Sequence, residues 1–197
     1  KDLLSLFKIP SLLFLITIFF IVTFSFAGFE TTFALWTERA MNWASKQTGY
    51  AFTLTALFVA VIQGVFIGKL TKKFGELKLL IVSCFLMLIG LFLITWSEQN
   101  LYYLIIALGT LGISVGLGNP SLNSLLSKNL NKNIIGASFG VIQSVGSLAR
   151  ILSPLAMGNL FYFFGMNSPY NFGAFLMFFS LFLFIYYFIF LKKSIKT

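Results

Sequence analysis

Six apolar runs, each long enough to cross a bilayer, leave this chain little choice of fold. They cover approximately residues 9–36, 50–68, 79–96, 101–126, 134–163 and 172–191. A helix of about 20 apolar residues spans the hydrocarbon core, where a backbone must satisfy its own hydrogen bonds. The runs and their short connections use up all 197 residues, of which 58% are hydrophobic and 10% charged, with a mean hydropathy of +0.94. Soluble domains carry about 25% charged residues. The expectation is an all-α transmembrane protein: a six-helix bundle forming one domain over residues 1–197.

Charge sets which way the helices run. Residues 68–78 read Gly-Lys-Leu-Thr-Lys-Lys-Phe-Gly-Glu-Leu-Lys, a short basic loop between two spans. Such loops stay in the cytoplasm. Of the 14 Lys and Arg, Arg150 falls inside a span, Arg39 and Lys46 lie on one side, and the remaining eleven lysines lie on the other. Both termini are therefore expected in the cytoplasm, with the chain integral to the plasma (inner) membrane as a multi-pass protein and lipid as its surroundings. The lysines are scattered through loops rather than gathered on one face, so the net charge of +9 reads as topology and not as a nucleic-acid surface. The run 9–28 is too long for a signal-peptide core and no small-residue cleavage site follows it. The chain opens on Lys1-Asp2 rather than Met, and is expected to be a piece of a longer polypeptide or a trimmed form of the protein.

Glycine separates the helices into two kinds. The second, fourth and fifth spans carry Gly64/Gly68, Gly112/Gly116 and Gly136/Gly140, each a G-xxx-G that lets backbones approach closely. The third and sixth are Leu, Ile and Phe nearly all round. They are read as outer, lipid-facing helices and the others as inner ones. Trp36, Trp43 and Trp96 near the outer ends of spans read as interface anchors.

Few residues can carry chemistry. There is one cysteine, Cys84, and no histidine, so neither an intrachain disulfide nor a Cys/His metal cluster can form, and no metal or other cofactor is called for. Gly112-Ile-Ser-Val-Gly116 matches G-x-S-x-G, but a membrane serine nucleophile needs a base, and no span holds a His or Lys. The chain is not read as an enzyme. Arg150 lies 14 residues past Gly136, roughly 21 Å along the fifth span and near or just beyond the midplane. A charge at that depth needs a partner or a water-filled cavity. It reads as a solute, anion or coupling site, or else as a structural arginine bonded to carbonyls freed near Pro154. Glu30 is the one carboxylate inside a span, about 30 Å past Pro10. It is a proton carrier, a partner of Arg150, or a wetted group at the outer interface. Gln63, Asn119 and Gln143 are transport or coupling candidates, and, with Asn123, either line a cavity or bridge helices. Pro120 and Pro154 bend their helices and free carbonyls.

Three motifs in order resemble the second half of the major facilitator superfamily. Gly68-Lys-Leu-Thr-Lys-Lys-Phe-Gly75 is similar to its loop signature; Gly68 and Gly75 match its glycines and Lys73 its basic residue, while Lys72 stands where the family often has Asp. Gly136 to Gly146, running on through Arg150 and Pro154 to Gly158, resembles its penultimate helix. Glu30, then Trp36-Thr37-Glu38-Arg39 and Thr48-Gly49, resembles its seventh helix and the outer loop after it. The resemblance implies twelve helices in two six-helix halves. It implies that the first and fourth helices of each half line a path for a small solute, the second and fifth meet the opposite half, and the third and sixth face lipid. It implies a secondary transporter, of the proton-coupled drug or metabolite exporter kind, working by alternating access, with Gly68, Lys72, Lys73 and Gly75 as a gating loop. The partners would be protons and an N-terminal six-helix half, or a second copy of this chain. The other reading is a half-sized, homodimeric membrane scaffold or regulator without transport.

Overall fold

The structure, a computed structural model, describes residues 9–130 and 135–187. Among them every regular element is helical: α1 (Pro10–Met41), α2 (Ser45–Val61), a π turn (Ile62–Phe66), α3 (Ile67–Phe74), α4 (Glu76–Thr95), α5 (Leu101–Asn129), α6 (Ile135–Phe164) and α7 (Ser168–Tyr186). The α2, π and α3 segments form one 30-residue rod, so the described chain has six helices long and apolar enough to cross a membrane. Lys1, Lys8, Lys132, Lys192, Lys193 and Lys196, residue 134, and the end of the sixth run fall outside the described residues.

Local chemistry sets the breaks. Pro10 opens α1, where its missing N–H costs nothing. Asn42 closes α1 in the left-handed region at φ 54°, its N–H bonded to the Thr37 carbonyl. Asn100 caps α5 by accepting from the N–H groups of Tyr102 (3.1 Å) and Tyr103 (3.4 Å). The basic segment expected as a loop is instead helical. Gly68, Lys72 and Lys73 lie on α3, and α4 starts at Glu76. Gly75 alone breaks the chain, at φ +78°, where a side chain would be strained. Lys72 and Lys73 in the last turn of α3 and Glu76 in the first turn of α4 each suit the local helix dipole.

Coverage within this one chain does not follow the inner and outer grouping. In α1, 72% of the apolar window is buried, and in α5 61%, so these two form the centre. The α4 and α7 helices are intermediate, turning Phe85, Phe92, Phe178 and Phe182 outward. The least covered are the α2–α3 rod, at 11%, and α6, at 22%, both expected to be inner. The reason lies in where the glycine faces point. A Cβ on Gly112 would sit 2.6 Å from the Thr55 carbonyl oxygen, and one on Gly116 2.7 Å from Ile62 Cβ, so α5 receives α2 there. Gly64, Gly68, Gly136 and Gly140 would meet nothing within 4 Å.

The packing is sealed by small polar groups. Ser83 Oγ on α4 donates to the Ser114 carbonyl on α5 (2.9 Å), and Ser114 Oγ donates back to the Ser83 carbonyl (2.8 Å). Ser153 Oγ on α6 donates to the Phe24 carbonyl on α1 (2.6 Å), beside Gly28. Each such bond between membrane helices contributes about 0.6 kcal/mol.

The two ends of the bundle differ. At one, Glu76 pairs with Lys128 and accepts from Ser124 Oγ at 3.1 Å, which puts the α3–α4 break beside the end of α5. At the other, Trp36 Nε1 donates to Asn167 Oδ1 (2.8 Å) and Asn167 Nδ2 donates to Glu98 Oε1 (2.6 Å). Thr37 and Thr48 share a hydrogen bond of 2.8 Å there. Trp36 is therefore not an interface anchor: it is fully buried, whereas Trp96 is 69% exposed.

Candidate functional site

Two cavities open between the helices around α1 and α5. The first, about 410 Å³, is bounded by α1, α4, α5 and α6 and holds Glu30, Asn119 and Arg150 among its walls, with Thr23 and Met87. The second, about 400 Å³, lies between α1, α5 and the rod of α2 and the π turn. Its walls include Phe29, Phe52, Thr55 and Gln63. Phe26, Glu30 and Val115 wall both cavities. Each volume is within the 300–1,000 Å³ range of small-molecule sites.

The helices bring these groups together from four elements. Phe26 and Glu30 are four residues apart on α1 and so share a face. Asn119 precedes Pro120 on α5, and Arg150 precedes Pro154 by four on α6. A proline in a helix cannot donate to the carbonyl four residues back. The Gly116 and Arg150 carbonyls thus lose their usual donors beside the first cavity. Gln63 sits inside the π turn, whose Ile67 N–H reaches back five residues to the Ile62 carbonyl. Such turns occur frequently at functional sites.

Thr55 in the second cavity gives its hydroxyl to the Ala51 carbonyl of its own helix (3.2 Å), whereas the longer polar side chains carry no hydrogen bond. Among the described residues, none of Glu30, Gln63, Asn119 or Arg150 forms a side-chain hydrogen bond, and Glu76–Lys128 is the one ion pair. Glu30 and Arg150 wall the same cavity without closing on each other. The readings of Gln63 and Asn119 as bridges between helices, and of Arg150 as bonded to carbonyls, have no hydrogen bonds behind them here. Gln143 is exposed on α6, about two turns before Arg150, and lines neither cavity. Gly68, Lys72, Lys73 and Gly75 lie away from both, at the end of the bundle that holds the Glu76–Lys128 pair. Phe26 and Val115 escaped the sequence reading, although the spacing of Phe26 from Glu30 points to it. Glu76 escaped it too, since its partner is 52 residues away. A group of three or more metal-ligating side chains does not occur among the described residues.

The comparisons with known proteins agree with this architecture. Class H tetracycline resistance protein of Pasteurella multocida is 26% identical over 145 residues, covering 74% of this chain and 36% of that one. Multidrug resistance protein 2 of Bacillus subtilis (strain 168) is 28% identical over 162 residues, covering 81% and 39%. The crystal structure of the human organic anion transporter MFSD10 (TETRAN) superposes with a TM-score of 0.80 at 25% identity, covering 86% of this chain and 39% of that chain. The chain thus spans well under half the length of these relatives. The sequence profile described as Major Facilitator Superfamily matches residues 3–196, and the chain belongs to that family.

Proposed function

We propose that this chain is the carboxy-terminal six-helix half of a secondary transporter that carries a small organic solute across the plasma membrane. One observation carries the reading: two opposite charges, Glu30 and Arg150, open into one cavity between the helices without forming an ion pair. Charges inside membrane segments are costly and mark solute or proton pathways. In this reading Asn119 and Gln63 hydrogen-bond the solute and Glu30 carries the coupling proton. Arg150 holds the solute's negative group or resets Glu30. The two halves rock about the site in alternating access. The names of the relatives, resistance proteins for tetracycline and multiple drugs and a transporter of organic anions, favour export of an organic solute.

The sidedness has its own support. The Glu76–Lys128 pair gathers Lys69, Lys72, Lys73, Lys78 and Lys128 toward one end of the bundle, while Arg39 and Lys46 lie toward the other. The lysine-rich end is the cytoplasmic one in this reading.

The test is uptake by proteoliposomes holding the whole transporter. Arg150→Ala is expected to abolish uptake, with the protein still inserted and folded. Normal transport by that variant would make Arg150 structural and remove the basis of the proposal.

A further inference from the structure

From the order of the groups along the two cavities, we infer that the solute is a zwitterion with an aromatic body, its basic nitrogen lying between that body and a carboxylate. The inference rests on the transporter reading and goes beyond it to the chemistry of the solute.

Charge is the first step. Glu30 and Arg150 are the charged residues lining the two cavities, one of each sign. Neither has an ion pair or a side-chain hydrogen bond among the described residues. A solute with a single charge satisfies one and forgoes the charge-assisted bond that the other offers. A solute with both charges satisfies both. Guanidinium with carboxylate, and carboxylate with ammonium, are the strong charge-assisted pairs.

Order is the second step. Glu30 and Phe26 belong to both cavities, whereas Arg150 and Asn119 belong to the first alone. The second cavity adds Phe29 and Phe52, whose rings meet edge to face at 6.0 Å between centroids, and Gln63. The path therefore runs from an aromatic chamber, past Glu30, to Arg150 and Asn119. An aromatic ring packs well against Phe26 and Phe52, which are half-buried there, while Phe29 backs them from the core. A solute that matches has a ring in the second cavity, an ammonium at Glu30 and a carboxylate at Arg150, where the Asn119 amide can donate a further hydrogen bond.

The experiment is equilibrium binding to the whole transporter in detergent, without gradients. The probes are N-(naphthylmethyl)-4-aminobutanoate, its methyl ester, which keeps only the cation, and its N-acetyl derivative, which keeps only the anion. The zwitterion is expected to bind at least about tenfold more tightly than either. Glu30→Gln should bring the zwitterion down to the N-acetyl form while leaving its advantage over the ester. Arg150→Gln should bring it down to the ester while leaving its advantage over the N-acetyl form. Glu30→Asp and Arg150→Lys should keep the ranking, and monodisperse elution with wild-type melting shows that each variant is folded. Equal binding of all three probes, tighter binding of a singly charged one, or no binding overturns the inference. Because binding needs no turnover, the two proposals separate. The ranking without any uptake keeps the solute class and sinks transport, while uptake of another solute without the ranking does the reverse.

Discussion

Three tryptophans show how much one side chain's neighbours decide. By sequence all three sit near the ends of apolar runs, where amphipathic rings anchor helices to the interface. Trp96 is 69% exposed and suits that role, but Trp36 is fully buried and gives its indole N–H to Asn167, which in turn bonds Glu98. The difference is non-local, since Asn167 lies 131 residues away from Trp36, and no window of sequence contains both. The arrangement predicts an asymmetric cost. Asn167→Leu leaves the buried indole N–H without an acceptor, and should destabilise by about 1–3 kcal/mol. Adding Trp36→Phe removes the orphaned donor, so thermal unfolding in detergent should show the double variant less destabilised than the sum of the two single ones. Strict additivity would make the Trp36–Asn167 bond irrelevant to stability.

Helices were legible because hydrocarbon permits so little else: over its described residues, each long apolar run is a helix. What lay beyond periodicity was not. The Ile62–Phe66 π turn has no signature in its five residues, and the basic segment after it reads as a loop by charge but stays helical up to Gly75. The three G-xxx-G pairs look alike in sequence, yet among the described residues only Gly112/Gly116 is filled by a neighbour. That contrast yields a prediction for the chain purified by itself. Gly112→Ala puts a methyl against the Thr55 backbone carbonyl, which cannot swing aside as a side chain would, and should lower the melting temperature. Gly64→Ala meets nothing within 4 Å and should be neutral, or stabilising by up to about 1 kcal/mol from helix propensity. Equal effects at the two positions would mean that the α2–α5 approach is looser than described.

At the scale of the whole molecule, the least covered helices flank the polar cavities. The rod of α2 and α3 packs mainly on α5, and α6 mainly on α1, so the two border the cavities from opposite sides. Each presents an open glycine pair and large apolar residues such as Leu57, Val61, Ile151 and Leu155. Between them lie Glu30, Gln63, Asn119 and Arg150, all accessible in the single chain. A lipid-facing wall does not carry two unpaired charges and two amides, since each charged group against hydrocarbon costs at least about 2.5 kcal/mol. Close-packing glycine faces also gain nothing from lipid, whereas a facing helix fits into them. On the proposed reading a second six-helix unit covers this surface, and the chain spans 36% and 39% of the two resistance proteins compared above. The expected outcome is that the chain expressed alone is shorter-lived than the chain co-expressed with a preceding six-helix unit, with which it forms a stable one-to-one complex. Pulse-chase lifetime and the mass of the purified species measure this. Cysteines placed at Gly64 and Gly140 should react with a lipid-soluble maleimide in the chain alone and be protected in the complex. A long-lived monomer that transports solute unaided would show instead that lipid and water between them can cover this face.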